Sequence, residues 1–219
     1  MKYYAVRNGR QPGIYESWTD CREQIYQYPG AVYKSFKDRA EAENYLQEPA
    51  GPSAINENLP FAYIDGSCRA AGGLYGYGGF LYEGGRYHII QGTGENPRYA
   101  AERNVAGEVI GALQVIFLCQ RLGIHEINLF FDYAGIEEWA AGRWKTNTEL
   151  SRYYAGMIDL LKDDVTIHFV RVEGHSGIEG NEIADYLAKE AVGAKLRKKD
   201  IKALTEFRSR IREGTGNGS

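Results

Sequence analysis

Cysteine, histidine and methionine are scarce in this chain, with 3, 4 and 2 residues among 219. Cys21, Cys68 and Cys119 are odd in number, far apart and without a CxxC pair. A disulfide framework and a cysteine zinc site are therefore excluded, and a reducing cytosol is the natural setting. His125-Glu126 does not continue to HExxH, and no GxSxG elbow occurs, so zincin and serine-hydrolase chemistry have no footing. Residues 92–97 begin like GxGxxG, but Pro97 stands where the last glycine belongs, which argues against a dinucleotide site. No unbroken apolar run approaches the ~18 residues that cross a bilayer, and the N-terminal MKYYAVRNGR lacks the apolar stretch of a secretory signal. Nothing repeats at a fixed period, so a solenoid is out. The chain is read as a cytoplasmic monomer with no membrane partner.

Charge is present in ordinary amount but unevenly placed. Residues 1–46 carry 7 basic and 6 acidic groups, residues 47–194 carry 11 and 20, and residues 195–219 carry 8 and 3. An acidic middle between neutral and basic ends suits a carboxylate-rich metal site flanked by polyanion-binding parts, although scattered surface charge would give the same count.

Proline and glycine gather at residues 48–60, EPAGPSAINENLP, which reads as a linker. Before it, strands are expected at 2–7, 13–15 and 31–36. Helices are expected over 19–26, with Thr19 as cap, and over 39–46, with Asp38 as cap. So short a segment has a thin core. After the linker, strand 61–65 ends at Gly66 and a glycine-rich stretch follows. A hairpin at 80–91 turns through Glu83-Gly84-Gly85. Val105, Val109, Ala112, Leu113 and Ile116 give a helical period over 104–122, stopped by Gly123. Strands at 127–131 and 165–172 alternate with helices around 148–161 and over 182–191, which argues an α/β sheet with packed helices.

Asp65 and Asp132 each fall at the carboxyl end of an apolar strand, where ligand sites gather in open α/β sheets. Glu108 borders the apolar stripe of its helix, a costly place for a carboxylate without a partner. Asp185 lies early in the last core helix. Such acids repel one another unless a divalent cation neutralises them. All-oxygen donors suit Mg²⁺ or Mn²⁺ rather than zinc, and two such ions can clamp the oxygens of a phosphodiester. Taken singly, each acid also fits a solvated helix end, and pattern alone does not bring the four together. His175, in Gly174-His175-Ser176-Gly177, is by itself an ordinary loop histidine. Tyr4, Trp18 and Tyr33, near Arg7 and Lys34, would stack on sugars and pair with phosphates, or would simply form the small core.

Four motifs make the second segment, about residues 61–193, resemble the type 1 ribonuclease H family. They are Tyr-Ile-Asp65-Gly-Ser, Arg-Asn-Val-Ala-Gly-Glu108, Phe-Phe-Asp132-Tyr and Gly-His175-Ser-Gly-Ile-Glu-Gly-Asn181-Glu182-Ile-Ala-Asp185. The first segment resembles the hybrid-binding, caulimovirus viroplasmin-like domain, on Tyr-Tyr4-Ala-Val-Arg-Asn-Gly-Arg, Gly13-Ile-Tyr, Trp18-Thr-Asp-Cys and Tyr33-Lys34-Ser-Phe36. The resemblance implies a ribonuclease H-like mixed five-stranded sheet with flanking helices, preceded by a small three-stranded α/β hybrid-binding domain. The expected boundaries are 1–47 for that domain, 48–60 for the linker, 61–193 for the catalytic domain and 194–219 for a basic extension.

It further implies that Asp65, Glu108, Asp132 and Asp185 hold two Mg²⁺ ions, with Mn²⁺ as a substitute. His175 would move protons and Glu182 would assist at the rim. The implied reaction is endonucleolytic cleavage of the RNA strand of an RNA/DNA hybrid, giving 5′-phosphate and 3′-hydroxyl ends. The other readings are a non-catalytic protein binding hybrid or double-stranded RNA, and a resolvase or integrase of the same fold. Asn104, Tyr4, Trp18, Tyr33 and Lys34 are the implied hybrid contacts. Three positions depart from the family pattern. Ala71 stands where an asparagine often reads a 2′-hydroxyl. Ser35 replaces a second lysine. The basic protrusion after the third carboxylate is reduced to Arg143 and Lys145. The N-terminal domain is therefore expected to supply affinity that the acidic domain lacks. Lys195, Arg197, Lys198, Lys199 and Lys202 are nucleic-acid contacts or a solvated tail.

Overall fold

The computed structural model describes residues 2–26, 28, 31–47, 58–69, 73–174 and 178–214. In the first unit, β1 (Tyr3–Asn8) lies between β2 (Gly13–Tyr15) and β3 (Val32–Phe36), both antiparallel to it. Helix α1 (Trp18–Ile25) begins one residue before the expected Thr19. Its cap is Ser17, whose side chain accepts from the Asp20 amide at 3.1 Å. Helix α2 (Arg39–Gln47) is capped as expected by Asp38, which accepts from Ala40 at 2.7 Å. Among the described residues the buried cluster is small, Val6, Cys21 and Ile25, with Tyr4, Tyr15, Ala31 and Tyr33 packed on it; Ala5 and Ala42 are buried as well.

The second unit is a five-stranded mixed sheet. Strands β4 (Phe61–Arg69), β5 (Leu74–Glu83) and β6 (Arg86–Gly94) form an antiparallel meander. The β5–β6 turn uses Gly84 and Gly85, both at positive φ, as a two-residue hairpin demands. Helices α3 (Pro97–Ala100) and α4 (Asn104–Leu122) lead to β7 (Glu126–Phe131). Then α5 (Gly135–Ala140) and α6 (Glu149–Leu161) lead to β8 (Thr166–Arg171). Strands β4, β7 and β8 are parallel, and the spatial order is β6-β5-β4-β7-β8. Helices α7 (Glu179–Ala191) and α8 (Lys198–Gly214) close the described chain.

Side-chain alternation along β4 divides the core in two. Ala62 and Ile64 join Val109, Leu113 and Ile116 of α4, with Tyr154 of α6. Phe61 and Tyr63 join Ile183 and Leu187 of α7, with Leu204 and Phe207 of α8. Helix α4 is long and apolar enough to cross a membrane, yet here it is a core helix between sheet and α6.

Two sequence expectations change. Strand β4 does not end at Gly66. Antiparallel pairing with β5 carries it to Arg69, whereas parallel pairing with β7 stops at Tyr63. Asp65 therefore sits inside a strand, just past the edge of its parallel neighbour. Helix α8 is an ordered helix anchored in the core, not a solvated tail.

Candidate active site

Asp65 and Asp132 share strand parity with the α7 side of the sheet. Glu108 arrives from α4 on the other face, and the local sequence explains how it gets there. Gly66 lies directly against the first turn of α4, where an added Cβ would fall into the Asn104 carbonyl oxygen and the Glu108 amide. Helix α7 reaches the sheet in the same way over Gly78, where a Cβ would meet the Ala188 amide. Ligand oxygens of Asp65, Glu108 and Asp132 then lie within 4.8 Å of one another.

Each of these groups is held. Asp65 Oδ1 accepts from the Gly66 amide at 2.6 Å. Glu108, 1% exposed, accepts at Oε1 from the amides of Asp132 at 3.2 Å and Tyr133 at 3.1 Å. Burial and the charges of Asp132 and Asp185 push the Asp65 carboxyl up to about 8, against the Gly66 amide and Lys189. Burial and the charges of Asp132 and Asp65 also raise Glu108 well above the usual carboxylate range. Such a set stores repulsion that a hard dication relieves.

The fourth predicted acid stands beside this cluster, near enough to act on Asp65. Its Oδ2 accepts from Lys189 Nζ at 2.6 Å, one turn along α7. Lys189 is the residue that reading for acids overlooked, although an acid and a lysine four apart on a helix was a usable signal. Glu182 accepts from the Tyr186 hydroxyl at 3.3 Å. His175 and Ala71 lie outside the described residues. Asn104 is exposed at the first position of α4, directly after Arg103, the one non-glycine at positive φ among the described residues.

In the first unit, the Trp18 ring stands 5.6 Å from Tyr4 and 5.5 Å from Tyr33, and is 44% exposed. Tyr4 and Tyr33 lean on the small core, while Trp18 faces outward. Lys34 pairs with Glu173 of the second unit at 2.9 Å. In the segment after Asp132, where the basic protrusion is reduced, Arg143 is taken up by Glu137 at 2.6 Å and Glu138 at 2.9 Å.

Comparison with known proteins adds two family matches. The family described as the ribonuclease H1 N-terminal domain matches residues 2–46, and RNase H matches residues 58–193. Ribonuclease H1 of Mus musculus is 25% identical over 258 aligned positions, covering 88% of this chain and 89% of the relative. The ribonuclease H of Nitrosospira multiformis is 31% identical over 147 positions, covering 62% of this chain and 90% of the relative. Similar solved structures include LC11-RNase H1 in complex with an RNA/DNA hybrid, at a TM-score of 0.50 and 21% identity, covering 61% of this chain and 96% of that one. LC9-RNase H1 has a TM-score of 0.52 and 15% identity, covering 73% and 87%. At these identities the structures speak for the fold.

Proposed function

The chain belongs to the ribonuclease H family, and on that premise we propose that it is an endoribonuclease hydrolysing the RNA strand of RNA/DNA hybrids. The observation that carries this reading is the meeting of Asp65, Glu108 and Asp132 oxygens within 4.8 Å at the end of the parallel strands. The products are 5′-phosphate and 3′-hydroxyl ends.

The donor set is all carboxylate, largely buried and self-repelling, which fits Mg²⁺ with Mn²⁺ as a substitute. Bound there, divalent ions supply Lewis-acid activation of a water and charge stabilisation of the leaving oxygen. The chain's own residues do the rest. Two backbone amides hold Glu108 Oε1 and so fix the carboxylate's direction. Asp65 is aimed by the Gly66 amide. Asp185 joins the set when it parts from Lys189, whose charge balances it meanwhile. Glu182, tethered by Tyr186, assists at the rim. His175 carries protons, on the strength of its motif.

Asn104 contacts the hybrid beside the cluster. Trp18 and Tyr33 pack on sugars, and Tyr4 and Lys34 on the backbone, so binding is independent of sequence and sensitive to salt. We place the chain in the cytoplasm as a monomer, with Cys21, Cys68 and Cys119 as free thiols.

The test is cleavage, with Mg²⁺, of end-labelled RNA/DNA hybrid, double-stranded RNA, double-stranded DNA and single-stranded RNA. The expected result is cutting of the hybrid's RNA strand alone, lost in Asp132→Asn while hybrid binding persists. Tight binding with no cutting by the unaltered protein would move it to the class of non-catalytic hybrid binders.

A further inference from the structure

Residues 195–202 hold Lys195, Arg197, Lys198, Lys199 and Lys202 against a single acid, Asp200. They follow a region, residues 47–194, with 11 basic and 20 acidic groups, and they lie beyond the matched span 58–193. The structure gathers them at the start of α8, with all five cations exposed.

Within the helix region, Arg197 pairs with Asp200 at 2.9 Å and Lys202 loosely with Glu206 at 3.8 Å, while Lys198 and Lys199 face outward at its first turn. The N-terminal end of a helix is its positive end, where cations destabilise. Helix α8 is anchored elsewhere, by buried Leu204 and Phe207 and by the pairs Arg208–Glu190 at 2.6 Å and Arg210–Glu179 at 2.7 Å.

Asp200 fixes where the patch stands. It is 3% exposed and accepts from the Arg197 amide at 3.1 Å and from Arg197 Nε at 2.9 Å. Tyr186, the residue after Asp185, lies near enough for its hydroxyl and the Asp200 carboxylate to act on each other. Arg197 stands close enough for the Asp185 charge to raise its pKa, after the larger effects of Asp200 and Tyr186. Positive charge therefore begins beside Asp185, with Lys189 and Arg197, and continues onto the exposed lysines of α8. The segment after Asp132 offers the exposed Lys145, and Arg143 already paired with Glu137 and Glu138.

We propose that the N-terminal end of α8 is a nucleic-acid contact surface that holds backbone phosphates of the bound hybrid beside the carboxylate cluster. It rests on the hybrid-ribonuclease reading. Contacts of this kind carry no sequence information, and each phosphate neutralised steepens the salt dependence of binding.

The experiment uses the full chain with Asp132→Asn to prevent cleavage, Mg²⁺, and a fluorescent RNA/DNA hybrid read by anisotropy between about 50 and 200 mM salt. Lys198→Gln, Lys199→Gln and Lys202→Gln are combined. The expected result is a log Kobs against log salt slope shallower by about 2–3, and affinity at low salt reduced about tenfold or more. The same three positions changed to arginine keep the slope. Lys162→Gln, an exposed lysine at the end of α6, leaves it unchanged. Thermal melts establish that each variant is folded. An unaltered slope in the folded glutamine variant overturns the proposal, as does an equal loss in Lys162→Gln, which would mark a mere net-charge effect. Failure of the protein with native α8 to bind hybrid at all would remove the underlying reading, and the proposal with it.

Discussion

Asp65 shows at the scale of one residue what the site costs the fold. Its carboxyl is pushed up to about 8, first by burial, then by Asp132 and Asp185. An unfolded aspartate titrates near about 4. The folded ion-free protein therefore holds a proton that the unfolded chain releases. This contribution to stability is full below about pH 4 and is lost as pH rises through about 8. Glu108, raised for the same reasons, works in the same direction. The expected outcome is that thermal melts in a chelating buffer fall between pH 5 and 9. Mg²⁺ should recover the loss most at the alkaline end, and Asp65→Asn should flatten the profile. Equal pH profiles for the parent and Asp65→Asn, with no Mg²⁺ response, would show that the carboxylates do not interact as described. Asp65, Glu108 and Asp132 were legible because apolar strand and helix patterns framed them. Lys189 was overlooked although its place four residues after Asp185 on one helix was readable, because a reading for acids alone passes over it.

Among elements, α8 is the one whose weight was hardest to foresee. Its inward side chains, Leu204 and Phe207, are few, and the basic residues around them resemble a tail. Yet the Phe207 ring lies 5.0 Å from Phe80 and 5.3 Å from Tyr87, closing the core on the α7 face. Phe207→Ala should cost about 3 kcal/mol, a fall of about 10 °C in Tm for a protein of this size. Calorimetry checks it, and an unchanged Tm would return α8 to the status of a loose extension. Elements with a clear period were readable in advance: α4, stopped by Gly123 at φ 68°, and the hairpin through Gly84 and Gly85. The first half of β5 was not. Leu74 to Gly79 reads as a glycine-rich loop by local propensity. Tertiary packing instead uses those glycines, since Gly76 and Gly78 are where α7 lies down on the strand.

Across the whole molecule, the two units meet through the residues that the smaller one would offer to a hybrid. Lys34 pairs with Glu173 at 2.9 Å. Burial, then the charge of Glu182, holds the Tyr33 hydroxyl protonated. The Arg210 guanidinium lies 5.2 Å over the Tyr26 ring. Lys34 cannot serve Glu173 and a phosphate at once, so the contact between units and the contact with hybrid compete. Both partners are substantially exposed, and such a pair contributes at most about 1 kcal/mol. Glu173→Gln should therefore tighten hybrid binding by no more than about fivefold. The gain should fade as salt rises and Lys34→Gln should cancel it, since both act on one ion pair. Anisotropy titrations of the single and double variants, made in the Asp132→Asn background, decide it. Weaker binding in Glu173→Gln would mean that the docked arrangement assists the hybrid rather than competing with it.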